Sequence, residues 1–181
     1  MNTLVEERPV AAAEPIQVLE RVGPVVTLPE VQNSHMSGLF SVSGVEPVPF
    51  SEICKAFKRL MPSQSSAPSI TVSARRLTGG WTDEEVIAAL RSAGSSPYVA
   101  LIHVYEYLKH AERRPADLEV DRRPHWHIFY YRTDHPDPKK REDWVIRALW
   151  QEGGWSMAAG RTDAERPWDE DEEILVIAPD S

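Results

Sequence analysis

The sequence predicts an α+β fold, an antiparallel sheet with helices packed on one face. Three observations point there. From Ile70 onward, stretches of strand and helix composition follow the order β-α-β-β-α-β, a split arrangement that suggests such a sheet. Hydrophobic residues make up 41% of the chain, enough for a real core. The stretch between Thr82 and Gly94 carries both the start and the stop signals of a helix.

Residues 1–69 read as a flexible arm. Residues 1–48 are rich in Val, Pro, Glu and Ser without a sustained period of 3.6, with short extended pieces at IQVLERV and PVVTL. Within FSEICKAFKRLM a short helix is expected over 51–61, with Ser51 able to cap it and Ile53, Phe57 and Leu60 along one side. PSQSSAPS has the composition of a linker.

The folded unit is expected over residues 70–181. ITVSARRL (70–77) has strand composition and ends at Gly79-Gly80. In TDEEVIAALRSAG, Thr82 and Glu85 form a capping box, Asp83 and Glu84 favour the positive end of the helix dipole, and Gly94 marks the stop. YVALIHVYEYL (98–108) is rich in β-branched and aromatic residues and reads as a strand. A long charged loop leads to HWHIFYY (125–131), the next strand. Asp137 and Pro138 then cap and open a predicted helix through DWVIRALWQE, with Trp144, Val145, Ala148 and Leu149 on one face. EILVIA (173–178) supplies the last strand.

Charge is unevenly spread. The net value is −8, yet residues 162–181 hold one Lys/Arg against eight Asp/Glu, while residues 69–161 hold 14 against 13. Within the near-neutral middle, Arg113, Arg114, Arg122, Arg123, Arg132, Lys139, Lys140 and Arg141 flank the predicted strand at 125–131. They are either solvated loop charges or a phosphate-binding surface. The single cysteine, Cys54, excludes an internal disulfide and a thiolate-rich zinc site. No apolar run approaches a membrane span, and Glu6 and Glu7 stand where a signal peptide carries basic residues, so a soluble cytoplasmic protein is expected.

RRPHWHIFYY (122–131) carries the most chemistry. Side chains of a strand alternate, so His125 and His127 share one face with Phe129 and Tyr131, while Trp126, Ile128 and Tyr130 share the other. Two imidazoles at this spacing can reach one ion, with Glu106 as a third ligand from the neighbouring predicted strand and Glu112 or Glu119 as substitutes. Zinc held by His125, His127 and His110 or His135 is a further possibility that no spacing selects. The plain alternative is a pair of satisfied histidines on an ordinary sheet.

This segment, entered from a strand bearing glutamate, resembles the metal-binding motif of HUH endonucleases, the replication-initiation (Rep) proteins of rolling-circle plasmids and small single-stranded DNA viruses. The likeness covers about residues 70–152, with Pro124, His125, Trp126 and His127 as its specific element. It implies a Rep-like fold and a Mg²⁺ or Mn²⁺ ion held by His125, His127 and Glu106, which would polarise a phosphate of single-stranded nucleic acid. Arg122, Arg123 and Arg132 would meet phosphates, and Trp126 and Tyr130 would offer stacking surfaces.

The likeness breaks at the nucleophile. Rep enzymes cut with a tyrosine on a helix after the histidine strand, whereas no tyrosine here follows Tyr131, about 13 Å along the strand from His127. Three readings follow: a Rep-like binder of single-stranded nucleic acid that has lost nicking, a metal-dependent phosphodiesterase using activated water, or an acidic interaction protein engaging a partner through WDEDEE (168–173).

Overall fold

The computed structural model describes residues 19–42, 48–113, 125–151, 153–163, 165–169 and 172–180. It has the expected α+β class. The elements are β1 (Leu19–Leu28), β2 (Val31–His35), α1 (Met36–Leu39), β3 (Phe50–Ile53), α2 (Lys55–Leu60), β4 (Gln64–Ala67), β5 (Ile70–Leu77), α3 (Asp83–Ser92), α4 (Leu101–Arg113), β6 (Trp126–Arg132), β7 (Asp143–Gln151), β8 (Gly154–Arg161) and β9 (Ile174–Pro179). Seven strands form one sheet in the order β1-β5-β9-β6-β7-β8-β3, and β2 pairs with β4 in a small ribbon. Within the large sheet only β6–β9 and β3–β8 are parallel.

Alternation along the strands splits the core in two. Phe129, Ile146, Ala148, Met157, Leu175 and Ile177 point to one face, where α4 packs through Leu101, Ile102, Val104, Tyr105 and Leu108. Ile128, Tyr130, Val145, Ile174, Val176 and Ala178 point to the other, where α3 packs through Val86, Ile87 and Leu90. The helices are thus divided between the two faces rather than gathered on one. No helix among the described residues is long and apolar enough to cross a membrane.

Several expected elements form as read. The capping box of α3 is complete: Thr82 Oγ1 accepts from Glu85 N (3.3 Å), and Thr82 N donates to Glu85 Oε2 (2.8 Å). β5, β6 and β9 occupy the segments assigned to strands.

Others differ. Residues 98–108 hold no long strand; α4 starts at Leu101. Its β-branched and aromatic residues favour a strand locally, but Leu101, Val104, Tyr105, Leu108 and Ala111 also recur at helical spacing and are all buried. Residues 137–152 form the reverse exchange. Asp137 caps only a 3₁₀ turn over Pro138–Lys140, and DWVIRALWQ then runs as β7. This strand buries Ile146 and Ala148 on one face and Val145 on the other, so its apolar residues run together and mimic a helical stripe.

The boundary at residue 70 also shifts. β1 pairs antiparallel with β5 and β3 pairs with β8, so described residues before Ile70 belong to the large sheet, while β4 forms from the expected linker in the small ribbon. The helix expected over 51–61 divides into β3 and α2, whose cap is Cys54 Sγ accepting from Phe57 N, not Ser51.

Backbone packing at the β3–β8 junction requires glycine. A Cβ at Gly154 would lie 2.8 Å from Ser51 N and 3.2 Å from Pro49 O, backbone atoms that cannot rotate away. Gly154→Ala is expected to cost about 1–3 kcal/mol through overpacking, read as a lowered urea midpoint with an unchanged slope.

Candidate functional site

The two histidines do share a face, but they do not share a site. His127 lies within β6 and is 1% exposed. Its Nδ1 is 3.3 Å from the Tyr107 hydroxyl, and its ring meets Trp155 edge-on at 5.2 Å. Burial, and then the neighbouring His125, lower its pKa to about 3, so the ring stays neutral. Tyr107 is fully buried as well, which holds its phenol well above the ordinary range. His125 precedes β6, and its Nδ1 is 3.1 Å from Glu173 Oε2, a carboxylate that also lies 3.5 Å from Arg76.

Glu106 is not the third ligand. It sits on α4, next in sequence to Tyr107, where Lys109 Nζ donates to both of its oxygens at 3.0 Å. Its field acts on His103 and Tyr105, not on His127. Because residues 101–113 coil instead of extending beside β6, the register that would place Glu106 opposite the histidines does not arise. The substitute Glu112 accepts a hydrogen bond from Trp155 Nε1 (3.0 Å), and Glu119 lies outside the described residues. Among the described residues no three His, Cys, Asp or Glu side chains cluster closely enough to hold one ion. His125, His127 and Glu106 therefore do not fit a Mg²⁺ or Mn²⁺ centre, and neither zinc alternative, through His110 or His135, assembles.

The residues proposed to face nucleic acid are also redistributed. Arg122 and Arg123 lie outside the described residues. Tyr130 is fully buried and offers no stacking surface; its hydroxyl donates to Asp83 Oδ1 (2.9 Å). Asp83, the first residue of α3 and 3% exposed, also accepts from Trp168 Nε1 (3.0 Å) and from Asp163 N (3.0 Å). Its position at the helix start explains the residue type only in part, since the same carboxylate also holds Asp163 and Trp168.

Arg132 is occupied within the fold. Its Nε donates to Asp143 Oδ1 (2.6 Å) and its Nη2 to Asp143 Oδ2 (2.8 Å), while the guanidinium stacks 4.3 Å from the Tyr98 ring centroid. The Tyr98 hydroxyl donates to Asp143 Oδ2 (2.7 Å) and receives Arg91 Nη2 (2.8 Å). Burial and the Asp143 carboxylate raise this phenol to about 12, and the Arg132 fork holds Asp143 below the ordinary carboxylate range. Trp126 alone of the predicted set stands half-buried beside open space.

A different surface gathers the cations. At the end of the sheet where β6 stops and β7 starts, two clefts of about 720 and 650 Å³ are lined by Arg59, Arg132, Lys139, Lys140, Arg141 and Arg161, against Asp134, Glu142 and Asp143. Six cations face three carboxylates there in a chain of net charge −8. Register explains part of the convergence. Tyr131 pairs with Trp144, and Trp144 with Arg161, so the three side chains lie in a row across β6, β7 and β8 on one face. The Arg161 guanidinium stands 5.7 Å from the Trp144 ring and pairs with Glu142.

Lys139, Lys140 and Arg141 are visible in sequence as part of the basic cluster around the histidine strand. Arg161 joins them through the β7–β8 pairing and Arg59 through the placement of α2, and no local signal marks either. Compared with protein-family models, curated proteins and solved structures, the chain matches none.

Proposed function

We propose that the chain holds single-stranded nucleic acid without cutting it, along the basic end of the sheet. The observation that carries this is the six-to-three excess of cations over carboxylates lining the two clefts at that end. Phosphates displace counterions from such a surface, which supplies sequence-independent affinity. Half-buried Tyr131 and Trp144, side by side in the strand register, give aromatic area on which bases can stack.

No metal enters this reading, because the histidines and Glu106 hold other partners. Nor does a covalent step. Tyr105, Tyr107 and Tyr130 are buried, Tyr98 is bound to Asp143 with its proton held up to about 12, and burial raises the phenol of half-buried Tyr131 above its ordinary value. Within the acidic segment, Glu173 is engaged by the fold itself, meeting His125 and Arg76.

The test is fluorescence anisotropy with a labelled oligothymidylate across a salt series. Binding that weakens steeply with salt is expected. The triple variant Lys139→Ala, Lys140→Ala, Arg141→Ala should raise Kd roughly tenfold or more at low salt and flatten the salt slope by about one for each lost phosphate contact. Mn²⁺ should change neither the affinity nor the thermal midpoint. Absence of binding at low salt, or binding indifferent to the triple variant, sinks the proposal.

A further inference from the structure

A third cleft, of about 440 Å³, opens over the face that α3 covers. It reaches the basic end only through Arg161, which lines both. Two tryptophans form its walls. Trp126 belongs to β6, and Trp168 is fixed at two points, with Nε1 on Asp83 Oδ1 (3.0 Å) and N on Trp81 O (3.0 Å).

Arg147 is the unusual member. It projects from β7, where it pairs with Ile128 and Ala158, and its guanidinium lies 4.5 Å from the Trp168 ring centroid. Its Nε is buried without a hydrogen-bond partner. Among the described residues no carboxylate pairs with it, although acidic side chains line the same cleft. Asp83 turns its oxygens to other donors, the Tyr130 hydroxyl, the Trp168 indole and the Asp163 amide, and forms no ion pair with Arg147. Leaving a buried guanidinium donor unmade costs more than an ordinary hydrogen bond is worth, so a built anion seat accounts for it better than chance. Stacking fixes the plane of the fork in advance, the arrangement suited to a phosphate or carboxylate.

Arg166 adds an exposed second cation, and Glu172 adds an exposed acceptor at the same opening. Anion seat, aromatic wall and acceptor together describe a ligand with a phosphate, a flat ring and N–H donors. The volume lies within the range that takes small organic ligands.

We propose that this cleft binds one nucleotide unit, with its phosphate on Arg147 and Arg166, its base against Trp126, and the amino groups of the base toward Glu172. The proposal does not depend on the reading of the basic end. The unit can be a free mononucleotide or the 5′ end of a strand, which present the same chemistry.

Calorimetry and tryptophan quenching on the full chain test this with AMP, inorganic phosphate, and a short oligonucleotide with and without a 5′ phosphate. Expected is saturable quenching by AMP or by the 5′-phosphorylated oligonucleotide, tighter than inorganic phosphate alone. Arg147→Met and Arg166→Gln should each raise that Kd about tenfold, the loss expected for one charge-assisted contact. Arg166 is exposed, so its variant keeps the test valid should Arg147→Met fold poorly. AMP binding without response to the 5′ phosphate of a strand points to the free nucleotide, and the opposite pattern to a strand end; both support the site. No saturable binding of either at millimolar concentration overturns the proposal, as does binding indifferent to Arg166→Gln. Loss of oligothymidylate binding in the salt series with AMP binding intact removes the earlier reading and leaves this one standing.

Discussion

Replacing Asp83 with alanine is expected to destabilise the fold by about 3–5 kcal/mol, the scale of a buried polar hub left without its acceptor. Three donors converge on that carboxylate: the Tyr130 hydroxyl, the Trp168 indole and the Asp163 amide. The Tyr130 hydroxyl would be left in the protein interior with nothing to bind, whereas the Trp168 indole and the Asp163 amide would lose their anchor at the edge of the cleft they line. Asp83→Asn separates shape from charge. One amide oxygen still accepts, but the NH₂ group faces a donor, so an intermediate loss is expected. Urea denaturation of the three proteins measures both. An alanine variant within about 0.5 kcal/mol of the parent, the range of ordinary surface substitutions, would remove the hub role.

The second large effect concerns acid. In the folded chain His127 stays neutral until about pH 3, whereas an unfolded histidine protonates near 6.5. Between those values the unfolded chain binds the extra proton, so falling pH favours unfolding. The stabilisation is complete above pH 6.5 and declines by about 1.4 kcal/mol for each pH unit below it. From pH 7.0 to 5.0 the expected loss from this residue is roughly 2 kcal/mol. His103, also held below its ordinary value by burial, acts in the same direction. The His127→Leu variant isolates the ring. It loses the contact to Tyr107 at neutral pH, yet its stability should vary less over the same interval. Equal slopes for parent and variant would show that His127 is not the titrating group.

These two residues also mark how far sequence reasoning reaches. Thr82, Glu85 and Gly94 announce α3 because capping is local chemistry, complete within a few residues. The β6 strand is legible for a similar reason: its faces alternate, and both faces are used. α4 and β7 are exchanged for different reasons: α4 carries a helical spacing beneath a β-branched and aromatic composition that favours a strand, and β7 is apolar on both faces and so mimics a helical stripe. Tertiary burial then decides what local propensity leaves open.

The candidate sites divide along the same line. That His125 and His127 share a face follows from strand geometry. Whether that face is wet or sealed depends on Tyr107 and Trp155, which arrive from α4 and β8. The basic end needs Arg161, brought in by the β7–β8 pairing, and Arg59, carried by α2, and no short motif records either. Asp83 is visible as a helix-start acid, but its role toward Trp168 spans 85 positions of sequence.

The placement of β9 has a consequence for biosynthesis. Although last in order, Ile174–Pro179 lies between β5 and β6, near the middle of the sheet. A nascent chain leaving the ribosome can form α3 and the β6–β7–β8 meander early. It cannot join that half to β1 and β5 until the final strand emerges and inserts. Completion of the sheet therefore waits for this strand, and is slow in the manner of topologies dominated by distant partners. Until then both halves expose open strand margins, and a nascent chain stalled before Ile174 is a natural client for chaperones.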